Sequence, residues 1–132
     1  MEAHTEAAVA LTVRVTEPRP FTRTVHLDGK LNDDTVRLLD DDLNKIAGSN
    51  ATVVVFDLAG LQYISSVGLR SIFRLQKVMT ARGGKAVLAN PQPQVKKVFE
   101  IVNAADLTAV FSSVEELDRY LDAMQRKVVE GE

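Results

Sequence analysis

The sequence predicts a single α/β domain, with a mixed central β-sheet of about five strands and about four helices. Two observations carry this prediction. Short runs rich in aliphatic residues, typical of strands, alternate along the chain with stretches in which apolar residues recur every three or four positions, as on one helix face. Two strand patterns follow each other directly near the start, which indicates an antiparallel pair. At 132 residues the chain fits one domain, expected over residues 9–125, with loose termini at 1–8 and 127–132.

The first predicted elements are two strands and a helix. Residues 9–16 alternate between apolar and polar side chains, and a second alternation covers residues 21–28, where Asp28-Gly29 closes it. An Asn32-Asp33-Asp34 cluster then suits a helix start, and Gly48 stands where a helix commonly ends. The apolar stripe of that helix consists of Val36, Leu39, Leu43 and Ile46.

The centre of the chain predicts a parallel crossover. Residues 53–56 and 86–89 are continuous apolar runs, which are typical of strands covered by helices on both faces. A helix is predicted between them, over about residues 66–82, and Gly83-Gly84 ends it. Two strands joined by a helix in this way lie parallel in one sheet.

The last third of the chain predicts a helix, a short strand and a final helix. The strand covers residues 108–111, and either Ser112 or Ser113 caps the final helix. Glu115 and Glu116 lie in its first turn, where the helix dipole favours anions. From Lys127 onward the chain is expected to fray. The helix before the strand has the apolar stripe Val95, Val98, Phe99 and Val102.

Composition excludes several classes of function. The chain has no cysteine, so it has no disulfide framework and no Cys-based zinc site, and cytoplasmic localisation is expected. No apolar stretch approaches the roughly 20 residues that span a bilayer, and a net charge of −2 disfavours a nucleic-acid partner. His4 and His26 do not combine by spacing into a metal site, and no cofactor is predicted. No catalytic motif stands out either, so an enzyme is not expected.

The most informative segment is residues 57–70, which join the central strand to the following helix. Loops at the carboxyl ends of parallel strands are where functional groups gather in open α/β sheets. A serine at a helix start beside Gly68 presents a sterically open hydroxyl, and a phosphate there would meet free backbone N–H groups. The same spacing also fits a serine that merely caps the helix. The pattern therefore leaves both roles open for Ser65 and Ser66.

A family resemblance is carried by the run Asp57-Leu-Ala-Gly-Leu-Gln-Tyr-Ile-Ser-Ser-Val-Gly-Leu-Arg70. It resembles the signature of STAS domains in bacterial anti-sigma factor antagonists, and Leu27-Asp-Gly-Lys-Leu-Asn32 resembles their Gly-Glu-Leu-Asp segment. The resemblance covers about residues 9–125 by element order and implies the STAS fold. Family members are phosphorylated on a serine at this helix start by an anti-sigma factor serine kinase of the GHKL type. A metal-dependent serine phosphatase restores them.

The resemblance implies a phosphorylation-controlled protein–protein switch. By position the acceptor serine is Ser66, with Ser65 as the alternative. Unphosphorylated, the chain would bind the kinase and so free a sigma factor; phosphorylation would end that binding. The resemblance places partner-binding residues at Asn32, Ser65, Ser66, Val67, Gly68 and Arg70.

Two positions depart from the family pattern. Ser65 stands where family members often carry Asp, and Asn32 replaces the Asp of the Gly-Glu-Leu-Asp segment. Each change removes a negative charge near the acceptor.

The protein is expected to be a monomer. The alternative function is that of a ligand or lipid sensor, or of a scaffold component of a larger signalling assembly, that works without phosphorylation.

Further charged residues have two interpretations each. Arg70, Arg74 and Lys77 share one outward stripe of the predicted helix, which is either a docking face or a solvated face. Arg70 lies one turn beyond Ser66 and is able to pair with a phosphate there. Asp57 ends the central strand, as the phospho-acceptor aspartate does in response-regulator receivers. Receivers also need an acidic pair at the end of the first strand to bind magnesium, and this chain lacks that pair. Asp57 is therefore interpreted as a turn or cap residue.

Overall fold

Strands and helices follow one another in the predicted order. The computed structural model describes residues 10–104 and 113–131, which hold four strands and four helices. Their bounds are β1 (Leu11–Arg19), β2 (Thr22–Leu31), α1 (Val36–Ala47), β3 (Val53–Ile64), α2 (Ser66–Ala81), β4 (Lys85–Ala89), α3 (Pro93–Ala104) and α4 (Val114–Val129). The fifth predicted strand, residues 108–111, lies outside the described residues. No helix in the described ranges is long and apolar enough to cross a bilayer.

The four described strands form one mixed sheet in the order β1-β2-β3-β4. β1 and β2 pair antiparallel, while β2 with β3 and β3 with β4 pair parallel. The predicted antiparallel pair and the predicted parallel crossover through α2 are both confirmed. This topology brings the carboxyl ends of β2 and β3 to the same edge of the sheet, because parallel neighbours run in the same direction.

β2 continues past the point where Asp28-Gly29 was predicted to close it. Gly29 has φ +110, and a Cβ there would lie 2.2 Å from the carbonyl oxygen of Ala10. Only glycine accepts both this backbone angle and this close approach of the neighbouring strand. The strand therefore runs on to Leu31, with register shifts against β3 on either side of the Asp28-Gly29 pair.

Burial along β3 alternates instead of being continuous. Val54, Phe56 and Leu58 are fully buried and belong to the core, whereas Val53 and Val55 are only partly buried. The prediction of helix cover on both faces was wrong for the described residues, since only one face joins the core. The outward valines lie beside threonines of β2, and such β-branched residues suit a half-buried strand surface as well as a buried one.

Two element ends differ from the sequence prediction. β3 continues beyond the predicted run at residues 53–56 and through the motif segment to Ile64, and both Leu61 and Ile64 belong to the core. α4 extends to Val129, past Lys127, where a loose terminus was expected. Gln125 on α4 is only 2% exposed, and its side-chain amide hydrogen-bonds to the backbone of Ile64.

Candidate functional site

The site lies where β3 ends and α2 begins, and Ser65 is the residue that caps the helix. Its backbone is extended, with φ −97 and ψ 175, and its N–H donates to the carbonyl oxygen of Leu31 at 2.9 Å. Its Oγ accepts from the backbone N–H of Gly68 at 3.5 Å. The choice that the sequence left open is thereby resolved: Ser65 is the N-cap, and Ser66 is the first residue of α2.

Ser66 is bound twice by a carboxylate from the last helix. Its backbone N–H donates to Oδ1 of Asp118 at 2.9 Å, and its hydroxyl donates to Oδ2 of Asp118 at 3.0 Å. Ser66 is 6% exposed. The expectation of a sterically open hydroxyl was therefore wrong, because α4 packs over this end of α2 and its Asp118 takes both hydrogen-bond donors.

The Asp118 carboxylate lies at the start of α2, where the sequence analysis expected a phosphate to bind. It meets the positive end of the α2 dipole and one of the N–H groups that a helix start leaves unpaired. The pKa of the nearby Tyr63 phenol is raised, chiefly by burial. The negative charges of Asp122, Asp118 and Asp33 raise it further. Ser66 thus has an acidic neighbour that comes from a part of the chain 52 residues away.

The other predicted partner-binding residues differ in exposure. Arg70 is exposed and has no ion pair among residues 10–104 and 113–131, Val67 is partly buried, and Gly68 is buried. The Asn32 side chain is partly buried and turns back on its own loop, where its Oδ1 accepts from the N–H groups of Asp34 and Thr35. Asn32, Val67 and Arg70 therefore form the accessible part of the site.

The predicted basic stripe on α2 divides into a paired and an unpaired part. Arg74 forms an ion pair with Asp40 of α1 at 3.0 Å, so one of the three cations serves helix–helix packing. Lys77 is exposed, like Arg70. Since Arg70 is the member nearest the Ser66 end, it is the cation of this stripe that is available to a partner or a phosphate.

Gly68 has a packing role as well as a position in the motif. A Cβ at this residue would lie 2.6 Å from Cγ of Leu31 and 3.2 Å from Cγ1 of Ile64, both of which are fully buried. The missing side chain therefore lets α2 lie directly against the ends of β2 and β3. This close contact fixes the position of Ser66 relative to the sheet.

Gln125 holds α4 against the same strand end. Its Oε1 accepts from the backbone N–H of Ile64 at 3.0 Å, and its Nε2 donates to the carbonyl oxygen of Ile64 at 2.8 Å. The side-chain amide thus pairs with β3 as a neighbouring strand would. Gln125 and Asp118 together attach α4 to the residues on either side of the β3–α2 junction. Sequence reasoning did not identify either of them.

A second polar cluster lies on the partly exposed face of the sheet. His26 Nδ1 donates to Oδ2 of Asp57 at 2.8 Å, and His26 Nε2 lies 3.2 Å from the Thr16 hydroxyl. Asp57 also accepts from the N–H of Ala59, as expected of a turn residue. The hydrogen bond from His26, followed by that from Ala59, lowers the pKa of Asp57 below its usual 3.8. Among the described residues, no three His, Cys, Asp or Glu side chains are grouped to hold a metal ion.

The Asp57→Asn variant is expected to lose about 0.5–1.5 kcal/mol of unfolding free energy at pH 7, the usual contribution of one hydrogen bond. Because the folded-state pKa of Asp57 lies below 3.8, its stabilisation is complete above pH 3.8 and is lost as the pH falls through the folded value. Urea unfolding at pH 7 and near pH 2.5 checks this. A difference from wild type that persists unchanged at low pH contradicts it, and His26→Gln is the matched control that removes the partner.

Comparisons with known proteins agree with this geometry. The family model described as the STAS domain matches residues 12–117. The putative anti-sigma factor antagonist BtrV of Bordetella bronchiseptica is 34% identical over 89 residues, which cover 67% of this chain and 77% of BtrV. The anti-sigma F factor antagonist of Lysinibacillus sphaericus is 26% identical over 80 residues, 60% of this chain and 68% of that protein.

Solved structures share the fold at lower identity. Unphosphorylated SpoIIAA, an anti-sigma factor antagonist, superposes with a TM-score of 0.64 at 20% identity, over 70% of this chain and 81% of that one. An anti-sigma factor antagonist from Mycobacterium paratuberculosis superposes with a TM-score of 0.60 at 18% identity, over 87% of this chain and 94% of that one. The structural likeness supports the fold, and the family model covers most of the sequence. The chain belongs to the STAS-domain family.

Proposed function

We propose that this protein is an anti-sigma factor antagonist, a non-catalytic switch whose binding of an anti-sigma factor kinase is controlled by phosphorylation of Ser66. The observation that carries the proposal is the position of Ser66: it is the first residue of α2, within the family motif, and its hydroxyl is not used to cap the helix. The names of the relatives from Bordetella bronchiseptica and Lysinibacillus sphaericus support the same function.

The geometry favours Ser66 over Ser65 as the acceptor. The Ser65 hydroxyl accepts the Gly68 N–H, so a phosphate on Ser65 would replace the cap on which the start of α2 depends. The Ser66 hydroxyl is a donor to a side chain, and its modification leaves the cap in place. Phosphorylation of Ser66 therefore adds negative charge at the start of α2 without removing the helix cap.

The switch works through charge at an interface. The accessible part of the site offers a partner one amide, one aliphatic side chain and one cation, those of Asn32, Val67 and Arg70. A kinase of the GHKL type that buries this surface would have to desolvate about −1.5 to −2 charges after phosphorylation. An unpaired buried charge weakens a complex by several kcal/mol, so the partner is released. A metal-dependent serine phosphatase would restore binding.

The protein recovered from its native cells is expected to carry one phosphate, on Ser66. Intact-mass measurement and phosphosite mapping check this, with Ser66→Ala and Ser65→Ala as paired variants. The phosphate should disappear in Ser66→Ala and persist in Ser65→Ala. Absence of phosphate from the wild type under every growth condition, or its loss in the Ser65→Ala variant alone, contradicts the assignment.

One observation favours a second candidate, a ligand sensor with the same fold. An open cleft of about 750 Å³ lies beside the last turns of α4, near the end of β3 and the start of α3, and the polar residues that line it include Lys30, Tyr63 and Arg126. Such a cleft has room for a small molecule. Thermal stabilisation by nucleotides or lipid headgroups, together with absence of phosphate from Ser66, would favour this function over the switch.

A further inference from the structure

The contact between Ser66 and Asp118 changes what phosphorylation does to the fold. Two hydrogen bonds join these residues, at 2.9 Å through the Ser66 backbone and 3.0 Å through its hydroxyl. Asp118 is on the second turn of α4, and Gln125 attaches the same helix two turns further on. Asp118 therefore attaches the first half of α4, residues 114–121, to the start of α2 through Ser66.

A phosphate on Ser66 removes one of these bonds and opposes the other. Phosphoryl transfer from ATP breaks the Oγ–H bond and forms an Oγ–P bond, with release of ADP and a proton. The esterified oxygen then has no hydrogen to donate, and Asp118 as a carboxylate has none to give back. Phosphate oxygens would lie where the Asp118 Oδ2 lies now, so two negative groups would compete for one helix N-terminus.

The phosphate is the stronger competitor for that position. It is tethered covalently to the first residue of α2, and it brings about −1.5 to −2 charges against the single charge of a carboxylate. The backbone N–H of Ser66 now donates a hydrogen bond to Asp118. The oxygens of a phosphate on Ser66 would compete for this N–H group. Asp118 is therefore displaced, and its helix with it.

We infer that Asp118 couples phosphorylation to the fold: a phosphate on Ser66 expels the Asp118 carboxylate and releases residues 114–121 of α4 from α2. The coupling is reciprocal, because whatever holds α4 in place also opposes the phosphate. It accounts for the burial of the acceptor, since Ser66 at 6% exposure becomes accessible to a kinase only when α4 opens. The inference rests on the proposed function in taking Ser66 as the acceptor.

The test places the phosphate chemically and does not depend on a cellular kinase. Phosphoserine is incorporated at position 66 of the full chain by genetic-code expansion, in the wild type and in Asp118→Asn. Native-state hydrogen exchange is then followed for amides of residues 117–124, with amides of the β1–β2 hairpin as an internal reference. In the wild type the phosphate is expected to reduce protection of the α4 amides at least about 10-fold, which lies within the usual range of about 5–150-fold for coupled sites.

The Asp118→Asn background shows whether the effect runs through this carboxylate. Each phosphorylated protein is compared with its own unphosphorylated parent, so any direct effect of Asp118→Asn cancels. Protection in α4 should then fall by no more than about 3-fold, since no like charge faces the phosphate. Equal loss in both backgrounds, or no loss in the wild type, overturns the inference while leaving the assignment of Ser66 as acceptor untouched.

A second set of variants tests the inference if the phosphoserine protein does not fold. Asp and Asn have the same shape, so the four combinations of Asp or Asn at positions 66 and 118 form a cycle that isolates charge. The variant with Asp at both positions is expected to have a melting temperature roughly 3 °C or more below the value that the other three predict by addition. Additive melting temperatures overturn the inference.

Discussion

Replacing Gln125 with leucine is expected to lower the free energy of unfolding by about 2–6 kcal/mol, because each buried polar group left unpaired costs about 1–3 kcal/mol. The Gln125 amide both accepts from the N–H of Ile64 and donates to its carbonyl oxygen, and both residues are fully buried or nearly so. Leucine has a similar volume, so the loss is that of the hydrogen bonds rather than of a cavity. Chemical denaturation of the two proteins measures it.

Gln62→Leu is the matched control for this prediction. Gln62 is also on β3, two residues from Ile64, but its side chain is exposed. The same substitution there should change the free energy of unfolding by no more than about 0.5 kcal/mol. Similar small losses in both variants would mean that water or a shift of α4 satisfies the backbone of Ile64, and that Gln125 does not anchor the helix.

The order of the elements and the region of the site were predictable because their signals are local. The alternation in β1 and β2, and the serines followed by Gly68 at the start of α2, lie within a few residues of each other in sequence. A cap at Ser112 or Ser113 was predictable for the same reason, and in the structure Ser113 is the N-cap, with its hydroxyl oxygen accepting from the N–H of Glu116 at 3.1 Å. Local patterns of this kind specify a helix start without knowledge of its surroundings.

Asp118 and Gln125 were not predictable, because their partners are far away in sequence. Ser66 and Asp118 are 52 residues apart, and Ile64 and Gln125 are 61 apart. The periodicity of α4 indicates which face is apolar, but it does not indicate the element on which that face packs. A buried glutamine on such a face looks like a surface residue until the unpaired strand backbone that it serves is known.

The faces of the sheet were misjudged for a different physical reason. Val53 and Val55 belong to an apolar run, yet they point away from the core that contains Val54 and Phe56. Valine is favourable in a strand whether it is buried or half-exposed, so an apolar run does not by itself require cover on both sides. Neighbouring strands with polar outward residues, such as Thr24 beside Val55, are the better indicator of a free face.

Ser66→Asp is expected to bind the anti-sigma factor kinase at least about 100-fold more weakly than Ser66→Ala, since an uncompensated charge in an interface costs several kcal/mol and each 1.4 kcal/mol is tenfold in affinity. Ser66→Ala is the bait with which the kinase is recovered from native cells, because it cannot be phosphorylated at this position. Titration calorimetry with the recovered kinase then compares the two variants. Equal affinities would contradict the switch.

Two further variants separate the possible origins of that loss. Asn50→Asp adds the same charge at an exposed residue before the opposite end of β3, and its affinity should stay within about 3-fold of wild type because charge outside an interface is screened by salt. Combining Ser66→Asp with Asp118→Asn removes the repulsion inside the protein but keeps the charge at the surface. If the 100-fold loss persists in the double variant, the charge acts directly on the partner. If affinity returns, the release of α4 is what the kinase detects.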